Sequence, residues 1–344
     1  MIKGIITRGF WVLMALVSLS QAGKRANLGG MEGVVERMGV GIEELGRGNT
    51  GASFSTHGTS AYWNPALLAL SAGVNAVAGA EQRSLDRLGY ALGAQGAVGR
   101  RAGVGAVMAV RMDRDFAVID EEDDFLGTAK PSLGMGWVGV GWRLTRRDEI
   151  GVSMAFSWVD LGVAKFYSDI DMVDAQQGNS ALTIGYHRSW GGKWNLGVVL
   201  RNVGFNSKLS ARWEQVTSRD NSLPSSRTFR PKVLQIALRY SEKLYNQPLA
   251  LYLEVLDYQL ADTLWVWDND WHEQQARMGI EWQALERGVL RAGFHHGHWA
   301  WGASYEFRIR TDGRQWPLIV DWALLWEANA QQWNPLSVGV RTNF

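Results

Sequence analysis

Leu336-Ser337-Val338-Gly339-Val340-Arg341-Thr342-Asn343-Phe344 closes the chain. In extended backbone, successive side chains point to opposite faces. Leu336, Val338, Val340, Thr342 and Phe344 therefore share one face, and Ser337, Gly339, Arg341 and Asn343 share the other. An apolar alternation ending in an aromatic carboxylate is the pattern read by the outer-membrane barrel-assembly machinery. Val338, Val340 and Phe344 are assigned as that signal, and the stretch as the last strand of a barrel.

The same alternation recurs upstream. Trp299, Trp301, Ala303, Tyr305, Phe307 and Ile309 alternate with Ala300, Gly302, Ser304, Glu306, Arg308 and Arg310. Leu234, Ile236, Leu238 and Tyr240 alternate with Gln235, Ala237, Arg239 and Ser241. A period of two sustained over about ten residues marks a strand with one apolar and one polar face, and roughly 9–11 residues suffice to cross a bilayer when tilted. About fourteen such segments are present, near 73–81, 87–98, 101–112, 132–144, 149–163, 177–189, 193–203, 231–241, 248–260, 273–283, 287–296, 298–310, 316–326 and 336–344. Connections after even segments are short and most after odd segments are long, as in barrels with periplasmic turns and outer loops. The tight His296-Gly297 connection is the exception. The fold class is therefore all-β: a transmembrane antiparallel β-barrel of about 14 strands, occupying 73–344.

Composition agrees. Lys and Arg number 35 against 34 Asp and Glu, so no global field points to nucleic acid. There is no cysteine, which excludes thiol catalysis, disulfides and cysteine metal sites. The 40 glycines and 18 tryptophans stand out; glycine is tolerated where strands crowd, and tryptophan favours membrane interfaces. Residues 1–22 read as a cleaved signal peptide, with Lys3 and Arg8 ahead of the apolar run Phe10–Leu19 and small residues around Ala22. That run is about half the span a membrane helix needs. Export to the outer membrane follows, with lipid and the assembly machinery as contacts.

Residues 23–72 have another character, rich in glycine with no sustained period, and read as an N-terminal hatch or plug segment. Its motif is Trp63-Asn64-Pro65-Ala66, where proline biases the preceding residue away from helix. Gly46-Arg47-Gly48-Asn49-Thr50-Gly51-Ala52 followed by Ala61-Tyr62-Trp63-Asn64-Pro65-Ala66 resembles the opening of the PorV/PorQ family, within a superfamily that includes the fatty-acid transporter FadL. Further matches run in order through Arg201-Asn202-Val203-Gly204, Arg230-Pro231, Arg277–Trp282, Leu290–Phe294, Val320–Ala323 and Ser337–Val340. Two positions depart from the family pattern: His57-Gly58 replaces an acidic residue, and Leu67 replaces a glycine. The resemblance implies a non-enzymatic component assisting type IX protein secretion, with secretion-system proteins and their cargo as partners. The alternative is a FadL-like transporter of long-chain fatty acids or other hydrophobic molecules, which would need a greasy pocket and a side opening in the wall.

Alternation directs Arg201, Arg239, Arg277, Glu281, Arg291, Glu306, Arg308, Asp321 and Arg341 into the lumen. Ion-pair ladders holding wall or plug are one reading, a conducting path the other. An inward set of charged and small residues favours the secretion role; an apolar inward set near the hatch is the mark of the transporter. Trp137, Trp142, Trp190, Trp194, Trp265, Trp267, Trp271, Trp326 and Trp333 are read as an aromatic girdle, with Trp265-Val266-Trp267 as a candidate docking patch. His295-His296-Gly297-His298 is a polar hairpin tip rather than a metal site, because neighbours on a strand face opposite ways. Asp120–Asp124 is a solvated acidic loop lacking the spacing of a calcium site. There is no nucleophile elbow, phosphate loop or zinc-helix motif; only Ser304 near His298 hints at a hydrolase. Neither an enzyme nor a cofactor is expected.

Overall fold

The computed structural model describes residues 39–343, apart from Thr56 and the stretches 84–86, 113–115, 120–124, 130–131, 161–175, 204–207, 212–225, 230–231, 260–271, 312–313, 328–331 and 335–336. The signal peptide, Asp120–Asp124, Trp265, Trp267, Trp271 and Phe344 fall outside the described residues.

Fourteen strands close into one antiparallel barrel. They are β1 (Val74–Gln82), β2 (Leu88–Val98), β3 (Ala102–Met112), β4 (Ser132–Arg143), β5 (Asp148–Asp160), β6 (Gln176–Trp190) and β7 (Trp194–Val203). The second half comprises β8 (Lys232–Leu244), β9 (Gln247–Gln259), β10 (His272–Leu285), β11 (Gly288–His295), β12 (His298–Thr311), β13 (Arg314–Glu327) and β14 (Ser337–Asn343). Each pairs with its sequence neighbours, and β14 closes the ring by pairing with both β13 and β1, Val340 lying opposite Val320 and Ala78. Closure leaves no edge strand with unpaired backbone in hydrocarbon. The long connection after β3 carries a small hairpin of Phe116–Ile119 with Phe125–Ala129, and that after β7 carries one of Lys208–Ala211 with Ser226–Phe229.

Alternation sorts the two faces. Leu92, Val138, Ile236, Trp301 and Ile309 point outward and are 46–58% exposed. A continuous apolar exterior of that kind suits only a lipid surround. Strand ends differ from the sequence reading where the turns are tight. Residues 242–247 were expected as a connection, but β8 and β9 run on to a two-residue turn at Tyr245-Asn246 with φ of 51° and 65°. Two successive left-handed residues match the twist of a hairpin. His296-Gly297 does the same between β11 and β12, with φ of 46° and 83°.

The segment from Gly39 to Leu70 lies inside the barrel. It contains α1 (Ile42–Gly46), α2 (Ser60–Trp63) and a 3-10 turn over Pro65–Leu70. Asn64 makes that last turn: its side-chain carbonyl accepts from the Ala66 N–H at 3.1 Å, while Pro65 takes the first position, where no N–H is needed. The Asn64 amide also donates to the carbonyls of Ala52 (2.8 Å) and Tyr186 (3.1 Å), joining the segment to itself and to β6. The Trp63 indole N–H donates to the Val40 carbonyl at 2.8 Å, tying the start of the segment to its end.

Candidate functional site: the hatch and its seat

The hatch seats because the wall gives up its side chains where the two backbones meet. A Cβ placed on Gly103 would lie 1.9 Å from the Leu68 carbonyl oxygen, and one on Gly151 would lie 2.3 Å from the Pro65 carbonyl carbon. One on Gly197 would lie 2.1 Å from the Ala52 oxygen, and one on Gly293 would lie 2.2 Å from the Gly48 nitrogen. These glycines pair across strands: Gly103 faces Gly141, Gly141 faces Gly151, Gly151 faces Gly185, and Gly279 faces Gly293. A side chain at such a position collides with backbone, which cannot yield as a flexible side chain can. The high glycine count is thus an imprint of the hatch on the wall.

Charge fixes the other side of the hatch. Glu43 on α1 lies 2.7 Å from Arg47, 2.7 Å from Arg341, 3.1 Å from His57 and 3.7 Å from Arg291. Arg291 pairs with Glu281 at 2.7 Å, and Arg341 pairs with Asp321 at 2.7 Å. The Ser304 hydroxyl joins Arg291 to Asp321. Around Glu43, three arginines therefore meet four carboxylates: Arg47, Arg291 and Arg341 against Glu43, Glu44, Glu281 and Asp321. Burial pushes the Glu43 carboxyl up, but Arg341, His57, Arg47 and Arg291 together outweigh it and hold it well below the ordinary carboxylate range. Burial has the upper hand at Glu44, whose carboxyl is raised although Arg47 opposes the shift.

The remaining inward arginines hold hatch carbonyls. Arg201 donates to the carbonyls of Tyr62 and Trp63, the latter at 2.9 Å, and Arg277 donates to that of Asn49 at 3.0 Å. Arg239 sits 4.0 Å over the Phe54 ring. Glu254 accepts from the N–H groups of Gly51 (2.7 Å) and Ala52 (2.8 Å), with Gln235 donating to its other oxygen. Arg201, Arg239, Arg277, Glu281, Arg291, Asp321 and Arg341 thus touch the hatch or the ion network that carries it. Glu306 and Arg308 do not. They are half-exposed at the short-turn rim and pair with each other at 3.1 Å, because β12 runs past the end of the hatch. Sequence reading did not single out Glu43, Arg47 or Glu254. The i,i+4 pair Glu43/Arg47 and the lone acid within Leu249–Leu256 were the available signals.

The inner wall has a second, apolar half. Val107, Ala109, Met135, Trp137, Ala155 and Ala181, on β3 to β6, form one buried cluster with Val40, Ala61, Tyr62, Trp63 and Leu68 of the hatch. Trp137 was expected in the girdle; it is 1% exposed and meets Tyr62 edge-on at 4.9 Å. Its parity explains this, since five residues separate it from outward-facing Trp142, placing the two on opposite faces. Other tryptophans sit where the girdle reading put them: Trp142 is 51% exposed, Trp190 stacks with Trp194 at 6.4 Å, and Trp326 meets Trp333 at 5.3 Å. The lumen charges named from the sequence all lie on β7–β14; the apolar cluster on β3–β6 is itself flanked by the largely buried pair Arg111–Glu81 and the buried pair His187–Glu149.

Outside, the same strands bear an apolar hollow of about 780 Å³ across β14 and β1–β5, floored by Ala76, Ala78, Ala94, Ala106 and Gly136 and walled by residues such as Trp158. Between hatch and wall, a space of about 20 Å³ remains beside Gly39, lined by Val40, Ile42, Leu45, Glu81 and Arg111. Among the described residues no group of three or more His, Asp or Glu side chains is arranged to hold a metal ion. His295 turns inward to Asn49 at 3.3 Å, and its ring centroid lies 5.5 Å from that of His298.

Comparison with solved structures finds the same overall fold at low identity. The Ralstonia pickettii toluene transporter TbuX matches with a TM-score of 0.58 at 12% identity, covering 90% of this chain and 100% of that one. The fold is that of the toluene-transporter barrels. The Pseudomonas putida toluene transporter TodX matches at 0.55 and 12% identity, covering 88% of this chain and 96% of that one. The monoaromatic hydrocarbon channel CymD matches at 0.55 and 13% identity over 89% and 98%. No family model and no curated protein sequence matches the chain. The chain is thus an outer-membrane-type β-barrel whose fold is shared with channels and transporters.

Proposed function

We propose that this barrel admits hydrophobic molecules across the outer membrane, with the hatch as the element that controls passage. The observation that carries the reading is the apolar half of the inner wall. Val107, Met135 and Trp137 line it against Tyr62 and Trp63, and the apolar hollow lies directly behind on the lipid side. A molecule leaving water for hydrocarbon gains about 25 cal/mol for each Å² of apolar surface buried. The apolar inner strip is covered by the hatch and lies behind an unbroken strand ladder, so displacement of the hatch is the step that would open it to such a molecule. This favours the transporter over the secretion accessory, since an apolar inward set beside the hatch is the feature that separates the two. The shared fold with toluene transporters and hydrocarbon channels supports the same choice.

Expression in a host lacking its own transporter of hydrophobic molecules tests this. Uptake of labelled toluene and of a labelled long-chain fatty acid should rise for at least one of the two. Trp137→Arg, which places a charge on the apolar strip, should abolish the gain, with resistance to SDS without heating reporting that the barrel has still folded. Uptake at the empty-vector level for both compounds would remove the proposal.

A further inference from the structure

The short-turn end of the barrel carries a dense, mostly unpaired set of cations. Arg100-Arg101 form the β2–β3 turn, Arg146-Arg147 the β4–β5 turn, and Arg188 and Lys193 flank the β6–β7 turn; all six are exposed. These turns are neighbours in space. The Arg143 N–H donates to the Arg101 carbonyl at 2.7 Å, the Ser189 N–H to that of Arg147 at 2.9 Å, and the Ser241 N–H to that of Lys193 at 2.8 Å. The six cations therefore lie along one continuous arc from β2 to β8. Asp148 pairs with Arg188 at 3.4 Å and Glu242 pairs with Lys193. Arg100, Arg101, Arg146 and Arg147 make no salt bridge among the described residues.

Aromatic rings share that level. Trp142 is 51% exposed on the outward face of β4, Trp190 stacks on Trp194, and Trp194 meets Tyr240 at 4.6 Å. Indoles mark the depth at which hydrocarbon gives way to headgroups, so the arginines sit at headgroup depth on the leaflet that the short turns face. Four guanidiniums at that depth, none in a salt bridge among the described residues and only Arg147 in the field of a carboxylate, that of Asp148, match a phosphate in charge and in fork geometry.

We propose that this arc binds the headgroups of anionic phospholipids in the periplasmic leaflet, with phosphate held between the Arg100-Arg101 and Arg146-Arg147 turns. The arc uses none of the hatch or transport residues, so it stands apart from the transport reading. A soluble acidic protein is the competing partner. It is disfavoured because the arc is continuous with the lipid-facing aromatic rings rather than with the lumen mouth.

The test is native mass spectrometry of the full folded barrel from micelles holding equal phosphatidylglycerol and phosphatidylcholine. The barrel should retain phosphatidylglycerol in preference. A cation near an anionic surface contributes on the order of fivefold, so R100Q/R101Q/R146Q/R147Q should lose at least about tenfold of the preference after screening. R308Q/R310Q, at the opposite side of the rim, should keep it. Resistance of the barrel to SDS without heating reports folding, and if the fourfold variant fails that check, R100Q/R101Q and R146Q/R147Q should each lose part of the preference. Equal retention of the two lipids by the unmodified barrel, whether or not an acidic protein binds it, overturns the proposal. So does an undiminished preference in the folded variants.

Discussion

Replacing Glu43 by glutamine should release the hatch while the barrel stays closed. The carboxylate lies 2.7 Å from both Arg47 and Arg341 and is 6% exposed, so water cannot substitute for it. In the unmodified chain Glu43 contacts all three arginines; in Glu43→Gln, Arg341 keeps only Asp321, Arg291 keeps Glu281 and Asp321, and Arg47 keeps Glu281 and Glu44. Removing one member of a buried pair costs roughly 3–5 kcal/mol, mostly from the charge left behind. That is about a hundredfold to several-thousandfold in the equilibrium between seated and unseated hatch. The fourteen-strand ladder is untouched, so the loss should appear in the hatch alone. Hydrogen exchange read by mass spectrometry should show amides of Ile42–Trp63 losing protection, with those of β4–β6 unchanged. The double variant Glu43→Gln/Arg341→Gln removes both members of the 2.7 Å pair and should recover part of the loss. Hatch protection equal to the unmodified protein in Glu43→Gln would refute the idea that this carboxylate seats the hatch. An additive double variant would refute the pairing argument.

Three further outcomes follow from the same geometry. Gly151→Val would push a side chain to within 2.3 Å of the Pro65 backbone; the hatch should unseat from β5, seen as protease cleavage near Asn64 in an otherwise SDS-resistant barrel. Trp137→Ala removes a fully buried indole and should cost about 3–5 kcal/mol, read as a lower thermal midpoint in detergent with loss of near-ultraviolet ellipticity. The Glu43 carboxyl is held below its ordinary value near 4.5, so its contribution is complete above that pH and is withdrawn as pH falls through the depressed value. Glu44 titrates in the opposite sense, its carboxyl being raised; in a Glu44→Gln background, hatch protection should fall as pH drops below 4.5, and that fall should be absent when Glu43 is also replaced by glutamine.

Much of the barrel was legible because the lipid boundary imposes one rule on every strand. Leu92, Val138 and Ile236 must face hydrocarbon, and the period of two then places Gln95, Trp137 and Gln235 inside. The same rule, applied to Trp137 and Trp142, would have separated the buried indole from the interfacial one. The hatch contacts were harder to read. A glycine at 103, 151 or 197 looks alike in sequence whether it eases a bend or receives another backbone, and only the fold brings Leu68, Pro65 and Ala52 against those positions. Glu43 and Glu281 lie far apart in the chain, and no local pattern pairs them. The Asn64-Pro65 motif was recognisable as a turn, but its amide reaching β6 was not. Leu67, which stands where the resembling family has glycine, is fully buried, and His57, which replaces an acid there, meets Glu43. Both departures have been absorbed by the packing of this chain's own hatch.

The most direct test of the transport account is a paired measurement on a strain from which the gene is deleted: uptake of labelled toluene and fatty acid, and the proteins secreted to the medium. The account predicts impaired uptake of at least one compound, restored by the unmodified gene and not by Trp137→Arg, with secretion unchanged. Loss of many secreted proteins with uptake intact would contradict it.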